Sequence, residues 1–160
     1  MVVHLTGRVC DMDKINKISK KFNIPVIEDA AQSIGSKYNN RYAGTFGKVG
    51  CFSAHPLKNL NALGDSGYLT TNFSKIAEFL MDIRNHGMTD RNKVKNFGYV
   101  SRMDNLQAAI LNYRLKNLEN VIKKRFSRVY ATMKGAILCN TTMPDGSVKN
   151  SDSVYTPDCE

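Results

Sequence analysis

The chain has 160 residues, 42% of them hydrophobic and 23% charged, which is enough for one compact domain with a real core. No apolar run is long enough to span a bilayer, and the opening MVVHLTGRVC lacks the charged head and long apolar stretch of a signal peptide, so a cytoplasmic protein with no membrane partner is expected. The formal net charge is +9, but no RNP-like aromatic motif, zinc spacing or Arg-rich tail accompanies it, which argues against a nucleic-acid partner.

In chain order, VVHLT at 2–6 reads as a short buried strand ended by Gly7. A helix follows from about Asp11, which serves as its N-cap, with Met12, Ile15, Ile18 and Phe22 on one face and Asn23 closing it. IPVIEDAA at 24–31 is a second strand, apolar until its acidic end. Strand, helix and strand within thirty residues make a βαβ unit, so these two strands are expected to run parallel. SKYNNRYAG at 36–44 reads as a hairpin turning at Asn-Asn-Arg, and GCFSAH at 50–55 and GYLTTN at 67–72 read as further strands.

FSKIAEFLMDIRNHG at 73–87 has an amphipathic helical period, with Ile76, Phe79, Leu80 and Ile83 inward and Gly87 as the stop. Residues 88–98 look polar and irregular. From Arg102 to about Met133 the pattern is helical again, through Leu106, Ile110, Leu118, Val121 and Ile122, with a bend or break partway. The segment after Cys139 has turn residues and no period. The division expected is a partial large domain over 1–135 and an irregular, disordered tail over 136–160. The whole is an α/β pattern that opens directly on a strand, as a piece of a larger fold would.

Lys116, Lys123, Lys124, Arg125, Arg128 and Lys134 concentrate positive charge in the last helical segment. Such a run can draw phosphates, yet a solvated helix face explains it as well. Cys10, Cys51, Cys139 and Cys159 lie far apart with no CxxC pair, so they read as reduced, mostly buried thiols. His4, His55 and His86 are equally scattered, and no metal site is expected.

In an open α/β sheet, ligands gather at the carboxyl ends of the parallel strands. Glu28, Asp29 and Gln32 fall at the end of the second strand, Ser53 and His55 near the end of the third, and Lys58 on the loop beyond, framed by Pro56, Gly64 and Gly67. A lysine amine can form a Schiff base with a carbonyl. Pyridoxal 5'-phosphate (PLP) uses such a lysine, together with an acid for its pyridine nitrogen and hydroxyl or backbone donors for its phosphate. Asp29, Ser53 and Lys58 supply these three types. Each also has a plainer reading: Lys58 a surface charge, Asp29 a cap, Ser53 a hydroxyl bonded to backbone, His55 a residue packed beside Pro56. Glu28 alternates with Asp29 and points to the other face. The residues by themselves leave both readings open.

The segments VHLTGRVCDMD (3–13), PVIEDAAQSIGSKY (25–38), GCFSAHPLKNLNALGDSGYLTTN (50–72), IRNHG (83–87) and GYVSRMDNLQAAIL (98–111) occur in order. Together they resemble the DegT/DnrJ/EryC1/StrS family of PLP-dependent sugar aminotransferases over roughly residues 2–130. The resemblance implies a partial large domain of PLP-dependent transferase fold type I, truncated at both ends. It implies that Asp29 pairs with the pyridine nitrogen, Gln32 contacts the cofactor ring region, Ser53 binds the phosphate and Lys58 is the Schiff-base lysine. It further implies an amino donor such as glutamate, a nucleotide-linked keto-sugar as acceptor, and a homodimer. The family's usual GYNxR block is GYVSR here, with Val100 where an asparagine would reach the partner subunit's cofactor phosphate. Two other readings compete. The family's dehydratase branch carries a histidine where Lys58 stands, and a non-catalytic fragment or interaction module would keep the fold without a complete site.

Overall fold

A computed structural model of the chain describes residues 1–132, Thr141–Thr142 and Val148–Lys149, with side chains as far as residue 125. It divides into two compact units, Met1–Lys116 and Asn117–Glu160. The first holds a four-stranded sheet built from β1 (Val2–Val3), β2 (Ile27–Asp29), β5 (Val49–Ser53) and β6 (Gly67–Thr70), in the order β1-β2-β5-β6. β1, β2 and β5 run parallel and β6 antiparallel to β5. The expected parallel βαβ unit is therefore present, with α1 (Met12–Phe22) as its crossover.

The first strand is shorter than the apolar run at 2–6 suggests. His4 N–H donates the last ladder bond, to the Asp29 carbonyl at 3.0 Å, and Leu5–Gly7 then form a 3-10 turn. Thr6 has φ 54° and Gly7 φ 91°. A β-branched residue rarely takes that left-handed conformation, and here the Thr6 N–H is held by Gln32 Oε1 at 2.8 Å. Leu5 adds one more apolar residue past Val3, but the backbone bonds that would extend the strand are taken by a turn.

α1 begins as expected. Asp11 Oδ1 accepts from Lys14 N at 3.1 Å, satisfying one of the helix's orphan donors. Asn23 ends it in the left-handed region at φ 51°, its N–H bonding back to the last turn. The apolar face is a correction: Met12 is buried and Ile15 half-buried, but Ile18 and Phe22 are exposed. β2 is likewise a three-residue strand inside the expected 24–31, because Ile24 N–H caps α1 by bonding to Ser19 O.

The hairpin comprises β3 (Lys37–Tyr38) and β4 (Arg41–Tyr42). It turns on two residues, Asn39 and Asn40, at φ 48° and 61°, where a three-residue Asn-Asn-Arg turn was expected. Asparagine tolerates that conformation in tight turns. α2 (Ser74–Ile83) half-buries Ile76, Leu80 and Ile83, whereas Phe79, expected inward, is exposed. His86 (φ 59°) and Gly87 (φ 71°) turn the chain after it. Residues 88–98, read as irregular, contain a hairpin of β7 (Met88–Asp90) and β8 (Lys93–Val94). Its bulged register, between Met88 and Asp90, breaks the alternation that would have betrayed it.

The long helical segment does break, into α3 (Asn105–Leu115) and, in the second unit, α4 (Leu118–Thr132). In the second unit β9 (Thr141–Thr142) and β10 (Val148–Lys149) pair antiparallel, inside the stretch expected to be irregular. The rest of the expected tail, with Cys139 and Cys159, lies outside the described residues. Cys10 and Cys51 are free thiols, half-buried rather than buried. Among the described residues no helix is long and apolar enough to cross a membrane.

The core is made largely of small side chains, Ala30, Ala43, Ala54 and Ala62, with Met12, Val26, Leu60 and Leu111 as the larger members. Backbones therefore approach closely. A methyl group added at Gly50 would meet the Gly44 backbone and Thr70 Oγ1.

Candidate functional site

Register decides which residues share a face. Val3, Asp29, Cys51 and Leu69 stand side by side across the four strands. Ser53, two residues beyond Cys51, returns to the same face because strand side chains alternate. Asp29 and Ser53 are the last residues of β2 and β5, adjacent parallel strands. The structure thus brings Asp29 and Ser53 to one rim and one face, the carboxyl edge where ligands are expected. Asp29 also raises the pKa of the Cys51 thiol, as the second cause after burial.

The Asp29 carboxylate is half engaged. Oδ1 accepts from Ala31 N at 3.0 Å, and Oδ2 takes no hydrogen bond from the described residues. Ser53 Oγ accepts from His55 N at 3.3 Å. A hydroxyl has one donor and two acceptor positions, so this bond leaves the Ser53 proton to give to an anion. Gln32 reaches the rim from the turn after β2, its Oε1 holding Thr6 N and its amide N–H groups without an acceptor among the described residues.

Lys58 lies five residues past Ser53 on a loop tied down at many points. Lys58 N donates to His55 O at 2.9 Å, and Leu57 N donates to His55 Nδ1 at 3.2 Å. Ala54 anchors the base of the loop: its N–H reaches Ser66 O and its carbonyl accepts from Ala62 N. α3 holds the far side, Gln107 Oε1 accepting from Leu63 N and Arg114 Nη1 donating to Asn61 O. Lys58 itself is half-buried, and its amine makes no hydrogen bond or ion pair with the described residues. His55 is therefore more than a residue packed beside Pro56, since its ring and main chain organise this turn.

On the opposite face lies a network that sequence reasoning missed. Glu28 points away from Asp29, as alternation requires, and is fully buried. It accepts from His4 Nε2 at 2.9 Å, from Gly44 N at 2.7 Å, and from Gly47 N. His4 Nδ1 accepts from Cys10 N at 3.3 Å, which places the ring proton on Nε2, facing Glu28. Twenty-four residues separate His4 from Glu28. The one available signal was two polar residues at strand positions facing a core, which are rarely buried unpaired. Val100, in the place of the resemblance's asparagine, is exposed and bridges to Asn85.

The profile of the DegT/DnrJ/EryC1/StrS aminotransferase family matches residues 1–143. The chain is 47% identical over 125 residues to dTDP-3-amino-3,6-dideoxy-alpha-D-galactopyranose transaminase of Aneurinibacillus thermoaerophilus, a match covering 78% of this chain and 34% of that one. A DegT DnrJ EryC1 StrS aminotransferase from Brucella abortus superposes with a TM-score of 0.80 at 33% identity, covering 91% of this chain and 40% of the other. NtdA from Bacillus subtilis, solved with its cofactor PMP bound, superposes with a TM-score of 0.69 at 35% identity, over 84% of this chain and 31% of that one. The chain spans about a third of the length of the curated relatives it matches. With the rim residues carried on strands in this order, and the sequence match running through nearly all of the described chain, the protein belongs to the DegT/DnrJ/EryC1/StrS aminotransferase family.

Proposed function

We propose that this rim is the PLP site of an aminotransferase that moves an amino group, from glutamate as donor, to the keto group of a nucleotide-linked sugar. The observation that carries the reading is the placement of Asp29 and Ser53 on one face at the ends of adjacent parallel strands, with the Lys58 turn hung directly from Ser53. The names of the relatives support the substrate class, since several are transaminases of dTDP- or UDP-linked sugars.

The residues present fit PLP. Ser53 has a hydroxyl proton to donate to a phosphate, and among the described residues Asp29 keeps an unengaged carboxylate oxygen and Gln32 an unengaged amide N–H pair. When bound, PLP supplies an aldehyde that condenses with amines and a ring that takes up electrons from the substrate α-carbon. Asp29 would hold the pyridine proton, which keeps the ring electron-poor. Lys58 would attack the aldehyde as a nucleophile and, once displaced by the amino donor, carry a proton as general base and then acid. Lysine at this position speaks against the dehydratase alternative. Val100 offers no hydrogen-bonding side chain, so a phosphate contact from that position is lost. The reading extends to a cytoplasmic homodimer in which 1–135 belong to the PLP-binding domain and 136–160 form a tail.

Adding PLP to the purified chain tests this directly. Near-visible absorbance should grow in the wild-type protein, be bleached by borohydride as the imine is reduced to a secondary amine that leaves a covalent label on Lys58, and be absent from Lys58→Ala. Equal absorbance in the two proteins would overturn catalysis at Lys58.

A further inference from the structure

The loop that carries Lys58 is organised around one side chain. His55 uses four groups at once. Its N–H donates to Ser53 Oγ at 3.3 Å, and its carbonyl accepts from Lys58 N at 2.9 Å. Its ring Nδ1 accepts from Leu57 N at 3.2 Å, and Nε2 faces Asp65 Oδ1 at 3.7 Å. Because Nδ1 accepts an amide proton, the ring proton sits on Nε2, toward Asp65. The ring therefore closes a small cycle with its own chain: strand end, histidine, and the two residues that lead into Lys58.

Such a cycle couples two functional groups that the sequence merely places five residues apart. The His55 N–H occupies an acceptor position on Ser53 and so turns the hydroxyl proton outward. The ring and carbonyl of His55 together fix the Leu57 and Lys58 peptides, and with them the direction in which the Lys58 side chain leaves the loop. The His55 side chain is 44% exposed and that of Asp65 94%, so neither serves as core filling. The strength of this arrangement lies in geometry, since an amine held near its target saves the cost of ordering it during reaction.

We propose that His55 is a positioning residue: its Nδ1, by accepting from Leu57 N, sets the turn that presents Lys58 to the cofactor aldehyde beside Ser53. The proposal rests on the reading of Lys58 as the PLP lysine. Asparagine places its side-chain oxygen where Nδ1 stands, whereas glutamine reaches toward the Nε2 position. The two substitutions therefore separate the Leu57 contact from the Asp65 contact.

Amide hydrogen exchange is measured at Leu57 and Lys58 in the unliganded wild-type chain and in His55→Asn, His55→Gln and His55→Ala, and the PLP affinity of each is titrated by the lysine-dependent absorbance. His55→Asn should keep Leu57 protection and PLP affinity near wild type. His55→Gln and His55→Ala should exchange Leu57 about five-fold faster or more, as expected for one lost hydrogen bond, and bind PLP about ten-fold more weakly, with unchanged urea midpoints. Equal Leu57 exchange in all four proteins overturns the positioning role. So does faster exchange with unaltered PLP affinity, or a glutamine variant that behaves like asparagine. Absence of the absorbance from the wild-type protein overturns the proposed function and the positioning role with it, whereas its presence with indifferent variants overturns the positioning role alone.

Discussion

Tyr38 donates its hydroxyl proton to Asp11 Oδ1 at 3.0 Å and faces Asp13 Oδ2 at 3.2 Å, joining the hairpin to the first turn of α1. The consequences show in both partners. Hydrogen bonds from the Lys14 side chain and backbone, then from Tyr38, pull the Asp11 carboxyl from 3.8 down to about 2. The bond to Asp11, followed by desolvation, pushes the Tyr38 phenol from 10 up to about 12. A depressed carboxylate stabilises the fold above its unfolded pKa, and that contribution disappears as pH falls through the folded value. A raised phenol stabilises below its unfolded pKa and loses that contribution as pH rises through the folded value. The stability gap between wild type and Asp11→Asn, followed by denaturant melts, should therefore be full near pH 5 and closed by about pH 2. The gap for Tyr38→Phe should be full at neutral pH and vanish only above about pH 12. A Tyr38 gap that closes already at the ordinary tyrosine value of 10 would refute the pairing.

At the scale of the element, β2 is a strand with two carboxylates and two unrelated tasks. Asp29 looks to the open rim, while Glu28 ties β2 to β1 through His4 and to the loop after β4 through Gly44 and Gly47. Pinning Glu28 also limits rotation of the strand about its own axis, and so steadies Asp29 on the other side. Glu28→Ala strips an acceptor from two buried donors and from the half-buried Gly47 N–H, and leaving a network of this kind unsatisfied costs roughly 3–5 kcal/mol. Urea unfolding should show a loss of that size, while Asp29→Ala, at a half-buried and half-engaged carboxylate, should cost far less. A comparable loss in both would mean that the two faces of β2 are equivalent.

For the whole molecule, the distribution of apolar surface is the distinctive feature. The first unit buries one sheet face under the 43–47 loop and Glu28, while the Asp29 face leaves Val3, Ile27 and Leu69 at 45%, 41% and 50% exposure. Val3 and Ile27 lie on neighbouring strands, and Leu69 stands at the opposite edge of the same face, with Asp29 and Cys51 between, so exposed apolar side chains border the rim from both edges of the sheet. The chain should enhance the fluorescence of a hydrophobic dye under conditions where it is fully folded. Leu69→Ser should lower that signal without lowering the urea midpoint, whereas a dye signal that appears only on unfolding would contradict an exposed face.

Much of this architecture is legible in the residue order, because its causes are local. Asp11 and Asn23 bound α1 through contacts within a few residues, Asn39 and Asn40 make a tight turn by their own tolerance of positive φ, and a strand-helix-strand spacing leaves little choice but a parallel pair. The placement of Asp29 and Ser53 is readable for the same reason, since strand ends can be located, whereas the residues by themselves leave the chemistry of Asp29, Ser53 and Lys58 open. What only the tertiary structure decides are matters of who covers whom. A helical period marks Ile18, Phe22 and Phe79 as one side of a helix, but it does not say whether anything lies against that side. The strand at 2–6 stops at Val3 because Gln32, twenty-six residues away, holds Thr6 in a turn, and His4 becomes a buried partner of Glu28 only once β1 lies beside β2. Hydrogen bonds and burial between distant segments depend on packing, and no local preference encodes them.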